Sequence, residues 1–449
     1  MQFQLTKETL DLLHDAVESG NDGLILSVIG ELHGVDIAEI INQIDSDSGK
    51  YIFKLLNNEQ AADTLLELDE DVRENLLESL TTKEIAAHIE EMDSDDATDV
   101  MQELPEEKQR EVISQIEDKE QVSDIEALLH YEEGTAGALM AREFVKANAS
   151  WPVDRCIVEL RRQAQEVEHV YTIYVVDDHE KLMGLLSLKA LLVANSKQSI
   201  QELYSSNIKY INANTSSEEA ARMMEKYDLV VLPVVDDHGV LLGRITIDDV
   251  VDVIKEEAER DYQLASGLSE KVESSDTVWV ISRARLPWLL IAMIGGILGS
   301  LVISGYEGRI DVHPEMAIFI PLIAAMGGNV GIQSSAIVVQ GLASDGEIFH
   351  RMVPRLLKEL FVGLVNGIVC SSLILGYNIV VNDSLNLSLT ISIALLIVIC
   401  FAAVFGTFVP LVLHKYKIDP ALATGPFITT TNDILGIIIY FLVASMLYY

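Results

Sequence analysis

The chain has 449 residues, which is room for about three domains of ordinary size. It carries 31 Lys and Arg against 70 Asp and Glu, a formal net charge of −39 at pH 7, which argues against nucleic acid and anionic lipid surfaces as partners and favours cations. Residues 285–449 hold only 7 of the basic and 9 of the acidic residues, so a strongly acidic part precedes a nearly uncharged, apolar part.

Residues 1–132 are polar and acidic, with apolar residues at helical spacing. They also repeat. Leu56–Glu78 matches Met92–Ser114 at an offset of 36 residues, and Leu32–Ile40 resembles Leu56–Thr64 at an offset of 24. Because each repeat of this kind is a helical hairpin that buries its apolar face against the next, we predict a superhelical N domain.

Residues 133–254 contain a second and stronger repeat. The run Val175–His179 recurs as Val234–His238 at an offset of 59 residues, and the same offset pairs Gly184 with Gly243. Each copy reads as an apolar strand, an acidic turn, a second strand and a helix. The pattern predicts a tandem pair of α+β modules.

A charged link and five apolar spans make up the rest of the chain. We predict that residues 255–284 form a connecting helix. Residues 285–449 contain five stretches that are each long enough to cross a hydrocarbon core of about 30 Å. These predicted spans are Leu286–Ser304, Met316–Ala343, Leu360–Val381, Leu387–Leu413 and Ala421–Leu447.

The charges of the connecting loops predict the orientation. Basic residues are concentrated in the second loop, with Arg351, Arg355 and Lys358, and in the fourth, with Lys415 and Lys417. Because basic loops stay on the cytosolic side, we predict a cytosolic N-terminus and a C-terminus outside the cell membrane. The first residues also lack the pattern of a signal peptide, which agrees with a cytosolic acidic part.

Two spans carry polar residues at membrane depth. The second contains the glycine-rich run Ala325–Ser335, and the fifth contains Asp433, the one acidic or basic side chain after Asp419. A charge at that depth is costly unless it faces water, an ion or a partner. Glycines alone would equally serve close helix packing. With Asp433 included, the two patches predict a shared polar path.

Such a path suits a hydrated divalent cation. A symmetric homodimer would bring two copies of Asp433 together across its axis. Mg²⁺ keeps several of its waters and is commonly held by one or two carboxylates. Asn329 and the backbone carbonyls near Gly328 could hydrogen-bond those waters. The residues alone leave Ca²⁺, Mn²⁺ and Co²⁺ open beside Mg²⁺.

The order of these segments and several motifs resemble one family. The 59-residue repeat looks like a pair of CBS modules, which often bind adenine nucleotides, so ATP is a candidate ligand. An acidic helical N domain, a CBS pair, a long connecting helix and a five-helix transmembrane domain together resemble the MgtE family of magnesium channels, which are integral membrane proteins. The matching motifs are Tyr131–Met140, Gly327–Gly331, Asp419–Ala421 and Asn432–Gly436.

The resemblance implies a homodimeric, Mg²⁺-selective channel with Asp433 at the pore ion and Asn329 and Gly328 beside it. It also implies that cytosolic Mg²⁺ closes the pore by binding between acidic surfaces of the N domain, CBS pair and connecting helix. The regulatory residues that it implies are Asp95, Asp99, Glu218, Asp228, Asp249, Glu257, Asp261 and Asp419. Three positions depart from the family pattern: Arg260, Ile332 and Gly425.

Two other classes of function remain open on the residues. In a proton- or sodium-coupled divalent cation transporter Asp433 would titrate, although the five spans show no internal symmetry of the kind common in such transporters. A membrane sensor without ion flux, reading nucleotide through the CBS pair, would leave the polar patches without a role. The sequence does not predict an enzyme, because it offers no nucleophile with a base, no phosphate loop and no catalytic metal-ligand spacing.

Overall fold

The structure is a computed structural model that describes residues 4–165, 167, 169–272, 276–344, 352–381, 384–423 and 425–447. The chain divides into two compact units, Met1–Lys255 and Glu256–Tyr449. The first unit contains short acidic helices and two small sheets, and the second contains the long apolar helices.

The first unit begins with a series of short helices. Within its described part they are α1 (Lys7–Glu18), α2 (Asp22–Ile29), α3 (Gly34–Gln43), α4 (Ser46–Phe53), α5 (Asn58–Leu66), α6 (Glu70–Ser79), α7 (Thr82–Ile89), α8 (Ser94–Gln102), α9 (Glu106–Ile113) and α10 (Lys119–Leu128). Helices α5 and α6 recur as α8 and α9 at the offset of 36, and α3 and α4 recur as α5 and α6 at the offset of 24. The predicted helical repeats are therefore confirmed.

Local signals fix where these helices begin. The side chains of Thr6, Asn57 and Asp118 accept hydrogen bonds from backbone N–H groups of the first turns, and Thr81 and Glu84 form a capping box. Apolar residues at helical spacing face inward and form one continuous core. Because the helices are short, this stacking of neighbours, rather than helix propensity, stabilises the domain.

Two similar α+β modules follow and confirm the 59-residue repeat. One sheet contains β1 (Lys146–Asn148), β2 (Ile173–Val176) and β3 (Leu182–Leu186), and the other contains β4 (Ile211–Asn212), β5 (Val231–Val235) and β6 (Leu241–Thr246). In each sheet the first strand is parallel to the second, and the second is antiparallel to the third. The accompanying helices are α11 (Val153–Gln163), α12 (Leu188–Val193), α13 (Ser217–Tyr227) and α14 (Ile247–Ala265).

The repeated acidic turns have equivalent hydrogen bonds. Asp177 accepts from the backbone N–H groups of His179 and Lys181, and Asp236 accepts two bonds in the same pattern. A bridge between Lys181 and Val240 joins the two modules. These two aspartates therefore have a structural role in their turns.

In the described residues of the second unit, five helices are long and apolar enough to cross a membrane, as predicted. They are α15 (Val278–Gly305), α17 (Ile320–Ser344, preceded by a 3-10 turn), α18 (Met352–Val381), α19 (Leu385–Lys415) and α20 (Gly425–Leu447), with the short α16 (Glu307–Ile310) after α15. Several begin before the predicted spans because polar residues continue the helix beyond its apolar run. Of the basic second loop, Arg355 and Lys358 belong to α18, and Arg351 lies outside the described residues.

The predicted connecting helix, residues 255–284, is helical at its two ends only. Helix α14 ends at Ala265, and the described residues that follow are not helical until α15 begins. Gly267 has a φ of 83°, a left-handed conformation that favours glycine and ends a helix. The backbone N–H of Ser269 then donates to the carbonyl of Ala284 at 3.0 Å, so the chain turns back against α15.

Candidate functional site

The polar patches of the second and fifth spans face each other where α17 contacts α20. Gly328 lies opposite Asp433 and Thr429, since a methyl group added at Gly328 would lie 3.2 Å from Asp433 Oδ1 and 3.0 Å from Thr429 Cγ2. Asp433 is half-buried, and no described residue donates a hydrogen bond to its carboxylate or pairs with it. A carboxylate without a protein partner at this depth needs water or a cation.

Glycines bring the two helices close together and leave one amide unsatisfied. A methyl group at Gly327 would lie 3.4 Å from the backbone oxygen of Asn432, and one at Gly331 would lie 2.8 Å from Ile428 Cγ2. The Asn432 side chain is 1 % exposed, and neither of its polar atoms has a hydrogen-bond partner among the described residues. The glycines therefore pack the helices and also hold the Asp433 carboxylate against the α17 backbone.

The structure brings Asp433 and Gly328 together, whereas Asn329 is exposed at the next position of α17. Sequence reasoning missed Glu359, a buried acid on α18. Its side chain accepts a hydrogen bond from the Ser334 hydroxyl of α17 at 3.3 Å. The signal was available, because Glu359 directly precedes the apolar run of the third span.

The predicted acidic residues of the N domain lie on α8. Asp95 is buried, and burial together with the charge of Asp96 holds its pKa well above the usual range. Burial and the nearby Asp249 raise the pKa of Asp96 to about 7 and that of Asp99 to about 6. Burial also raises the pKa of Asp249, against the opposing effect of its hydrogen bonds from Thr246. These carboxylates crowd one another with too little positive charge nearby.

Residues that the sequence analysis did not single out complete this acidic face. Glu143 accepts hydrogen bonds from the Ser94 backbone N–H at 3.2 Å and from the Ser94 hydroxyl at 2.9 Å. Arg244 of β6 pairs with Asp93 at 3.1 Å. Two signals were present, since Asp93 and Asp96 belong to one acidic run and Arg244 interrupts an apolar strand.

The oxygen atoms of this face fit a divalent metal ion. Carboxylate oxygens of Asp93, Asp95 and Glu143 all lie within 4.8 Å of one another. Anionic oxygens are the ligands that Mg²⁺ and Ca²⁺ prefer in proteins. A bound cation would also supply the positive charge that the crowded carboxylates of α8 and Asp249 lack.

Two further predicted regulatory residues lie at opposite ends of α13. Glu218 is exposed in its first turn. Asp228 is exposed at its C-terminal cap, where it adopts the left-handed conformation with a φ of 50°. The structure of one chain therefore places them apart from each other.

The last three predicted regulatory residues belong to the second unit. Glu257 and Asp261 lie one turn apart on α14, and Glu257 pairs with Arg260 at 3.2 Å. The departure from the family pattern at Arg260 thus places a cation beside a predicted ligand. Asp419 Oδ1 accepts a hydrogen bond from the Ala421 backbone N–H at 2.8 Å.

Comparison with known proteins assigns the chain to a family. Three family models match it: the MgtE intracellular N domain over residues 32–134, the CBS domain over 136–197 and 200–256, and the MgtE divalent cation transporter over 320–443. The magnesium transporter MgtE of Thermus thermophilus is 31% identical over 97% of this chain and 97% of its own length. The chain belongs to the MgtE family of magnesium transporters.

Two other proteins show the same likeness. The magnesium transporter MgtE of Enterococcus faecalis is 36% identical over 73% of this chain and 72% of its own length. A crystal structure of the cytosolic domain of the Mg²⁺ channel MgtE in complex with ATP matches 54% of this chain and 99% of that chain, with 33% identity and a TM-score of 0.51. As an MgtE family member with five apolar helices, the chain is a multi-pass membrane transporter rather than an enzyme, as predicted.

Filling the space at Gly328 tests the pore geometry. In Gly328→Ala the added methyl group would crowd the Asp433 carboxylate and displace water from it, and overpacking of this kind costs about 1 to 3 kcal/mol. We expect Mg²⁺ flux into liposomes to fall by about tenfold or more. Gly296→Ala is the matched control, because a methyl group there meets open space. Equal flux in the two variants would contradict this geometry.

The raised pKa values predict that the contact of α8 with the CBS pair depends on pH. In the docked arrangement, in which α8 lies against the CBS pair, the pKa of Asp96 rises from the usual carboxyl value of 3.8 to about 7. The docked state therefore binds more protons than an open state in which α8 is solvated. Without divalent cations, docking should be strongest below pH about 4 and weaken as the pH rises to about 7, since the open state ionises first.

Fluorescence energy transfer between dyes at Gln102 of α8 and Glu225 of α13 measures this effect. In EDTA we expect the transfer to decrease between about pH 4 and about pH 7, by the linkage just described. The double variant Asp96→Asn, Asp99→Asn should lose part of the pH dependence, since Asp95 and Asp249 keep raised pKa values. If the energy transfer in the chain without these two substitutions stays constant or increases with pH, the electrostatic explanation of the acidic face is wrong.

Proposed function

We propose that the protein is a homodimeric Mg²⁺ channel for magnesium uptake that cytosolic Mg²⁺ closes. The Asp433 carboxylate, which lies beside Gly328 and pairs with no described residue, is the observation that carries the proposal for the pore. Two copies related by a dimer axis would offer paired hard oxygens to a hydrated Mg²⁺, with Asn329 and carbonyl groups hydrogen-bonding its waters. Co²⁺ and Mn²⁺ use similar ligands and are candidate competitors.

The acidic face of α8 supports the proposal for regulation. Carboxylates of the N domain and CBS pair repel one another across water over a Debye length of about 8 Å at physiological salt, so the domains should separate when cations are scarce. Mg²⁺ held between them would favour the docked state by differential binding. Asp95, Asp99 and Asp249 are the proposed ligands of this contact.

The other predicted regulatory residues complete the proposed sensor. We assign residues 1–132 to the N domain, 133–254 to the CBS pair, 255–284 to the connecting segment and 285–449 to the channel. Glu218 and Asp228 are exposed and lie apart from each other in one chain. Acids in such positions suit sites that are shared with a second copy. Glu257, Asp261 and Asp419 are assigned to the connecting segment and the channel entrance.

The proposed orientation and second ligand rest on separate grounds. The basic second and fourth loops support a cytosolic N-terminus and a C-terminus outside the cell membrane. A related cytosolic domain binds ATP in its crystal structure, so ATP is the proposed ligand of the CBS pair.

Neutralising Asp433 tests the pore. Asp433→Asn keeps the shape of the side chain and removes the charge, so Mg²⁺ flux into liposomes should fall by about a hundredfold or more, the usual scale for loss of a preorganised charge. Asp311→Asn, at an exposed acid of the same unit, should conduct normally. Undiminished flux in Asp433→Asn would refute the pore assignment. Flux that requires a pH or Na⁺ gradient would favour the coupled transporter instead.

Neutralising one acid of the docked face tests the regulation. Asp249→Asn preserves the hydrogen bonds to Thr246 but removes a ligand charge, so the internal Mg²⁺ concentration that halves the flux should rise by about tenfold. Asp252→Asn, at an exposed acid one turn further along α14, should leave that midpoint unchanged. If the two variants shift the midpoint equally, general surface charge rather than this contact governs closure.

A further inference from the structure

Arg244 is a buried cation at the centre of the acidic contact. It lies on β6, its residue is 5 % exposed, and its neighbours on the strand are apolar. The 59-residue repeat places Leu185 at the equivalent position of the other module. Burying a guanidinium is costly unless its charge is compensated, so an arginine where the repeat has leucine indicates a specific electrostatic role.

Three contacts hold the guanidinium group in place. Its Nε donates to the backbone carbonyl of Glu143 at 2.6 Å, its Nη2 pairs with Asp93 at 3.1 Å, and its centre lies 5.3 Å from the ring of Tyr171. Nη1 is buried without a hydrogen-bond partner among the described residues. Arg244 thus joins the N domain, through Asp93, to the CBS pair.

The position of Arg244 matters because of the charges around it. Asp93 repels both Asp95 and Asp96, and Arg244 attracts Asp249 on the other side of the contact. The guanidinium therefore offsets negative charge on both sides of the contact between α8 and the CBS pair. A divalent ion bound there would act on the same carboxylates in the same direction.

We propose that Arg244 is a tethered cation that supplies part of the positive charge needed to dock α8 on the CBS pair, and so lowers the Mg²⁺ concentration at which docking occurs. It is a positioning residue for the regulatory metal, since it holds Asp93 and Glu143 beside Asp95 without binding the ion. This inference rests on the proposed regulation by Mg²⁺. It adds that part of the positive charge needed for docking comes from a residue of the chain itself.

Four variants separate this role from packing. Arg244→Met puts a long apolar side chain in place of the arginine and so removes the charge. Arg244→Lys keeps the charge but loses the planar, forked guanidinium group. Asp93→Asn removes the carboxylate through which Arg244 reaches the N domain. The double variant Asp93→Asn, Arg244→Met restores the original charge balance with neither partner present.

The experiment measures limited proteolysis after α8 in the full-length chain in detergent as Mg²⁺ is varied. The midpoint is the Mg²⁺ concentration that gives half of the maximal protection. We expect the midpoint to rise by about tenfold in Arg244→Met and in Asp93→Asn, since each breaks the buried ion pair, and to stay within about threefold in Arg244→Lys. The double variant should stay within about twofold of either single variant, because both substitutions remove the same ion pair and their effects do not add.

The outcomes distinguish the inference from a structural role and from the proposed function. If Arg244 only packs, Arg244→Lys should fail as Arg244→Met does, and the shifts of Asp93→Asn and Arg244→Met should multiply in the double variant. Either result would overturn the inference. If Mg²⁺ does not protect even the unaltered chain, the proposed regulation fails. If Arg244→Met does not fold, Arg244→Lys still decides the question, because only the charge role predicts a midpoint within about threefold of the unaltered chain.

Discussion

Carboxylate charge that is withdrawn from water with too little counter-charge among the described residues is the constraint on which both units depend. In the first unit Asp95 and Asp96 are packed toward Asp249, and burial followed by repulsion from neighbouring carboxylates raises the pKa of both. In the second unit Asp433 faces the glycines of α17 without a described partner. A buried carboxylate must take up a proton, gain a cation or return to water. We propose that Mg²⁺ meets this requirement at both places, as transported ion and as regulator.

The two places hold their carboxylates by different means. In the second unit, glycines let two long helices approach so closely that backbone and side chain share one polar surface. In the first unit, short capped helices present acids to the CBS pair, and Arg244 and Ser94 tie that contact together. A rigid crossing suits a site that must keep its geometry while ions pass. A contact between separately folded domains suits a site that forms and dissolves with the cation concentration.

Features encoded locally could be predicted from the sequence. The helical repeats, the 59-residue repeat and the five spans follow from periodicity and apolar length. Asp433 could be singled out because it is a charged residue within an apolar span. Contacts between distant parts of the chain could not be predicted. Arg244 meets Asp93 across 151 residues, a pairing that depends on how α8 packs on the second module. The end of α14 was missed although Gly267, with a φ of 83°, is the type of residue that commonly ends a helix.

The central claim is that docking of α8 on the CBS pair and closure of the pore are one Mg²⁺-dependent event. Spin labels at Gln102 and Lys255 report the distance across that contact, and Mg²⁺ flux can be measured in the same liposomes as internal Mg²⁺ is varied. We expect the distance to shorten and the flux to fall with midpoints that agree within about twofold, since one equilibrium governs both. Flux that closes while the distance stays constant would contradict it.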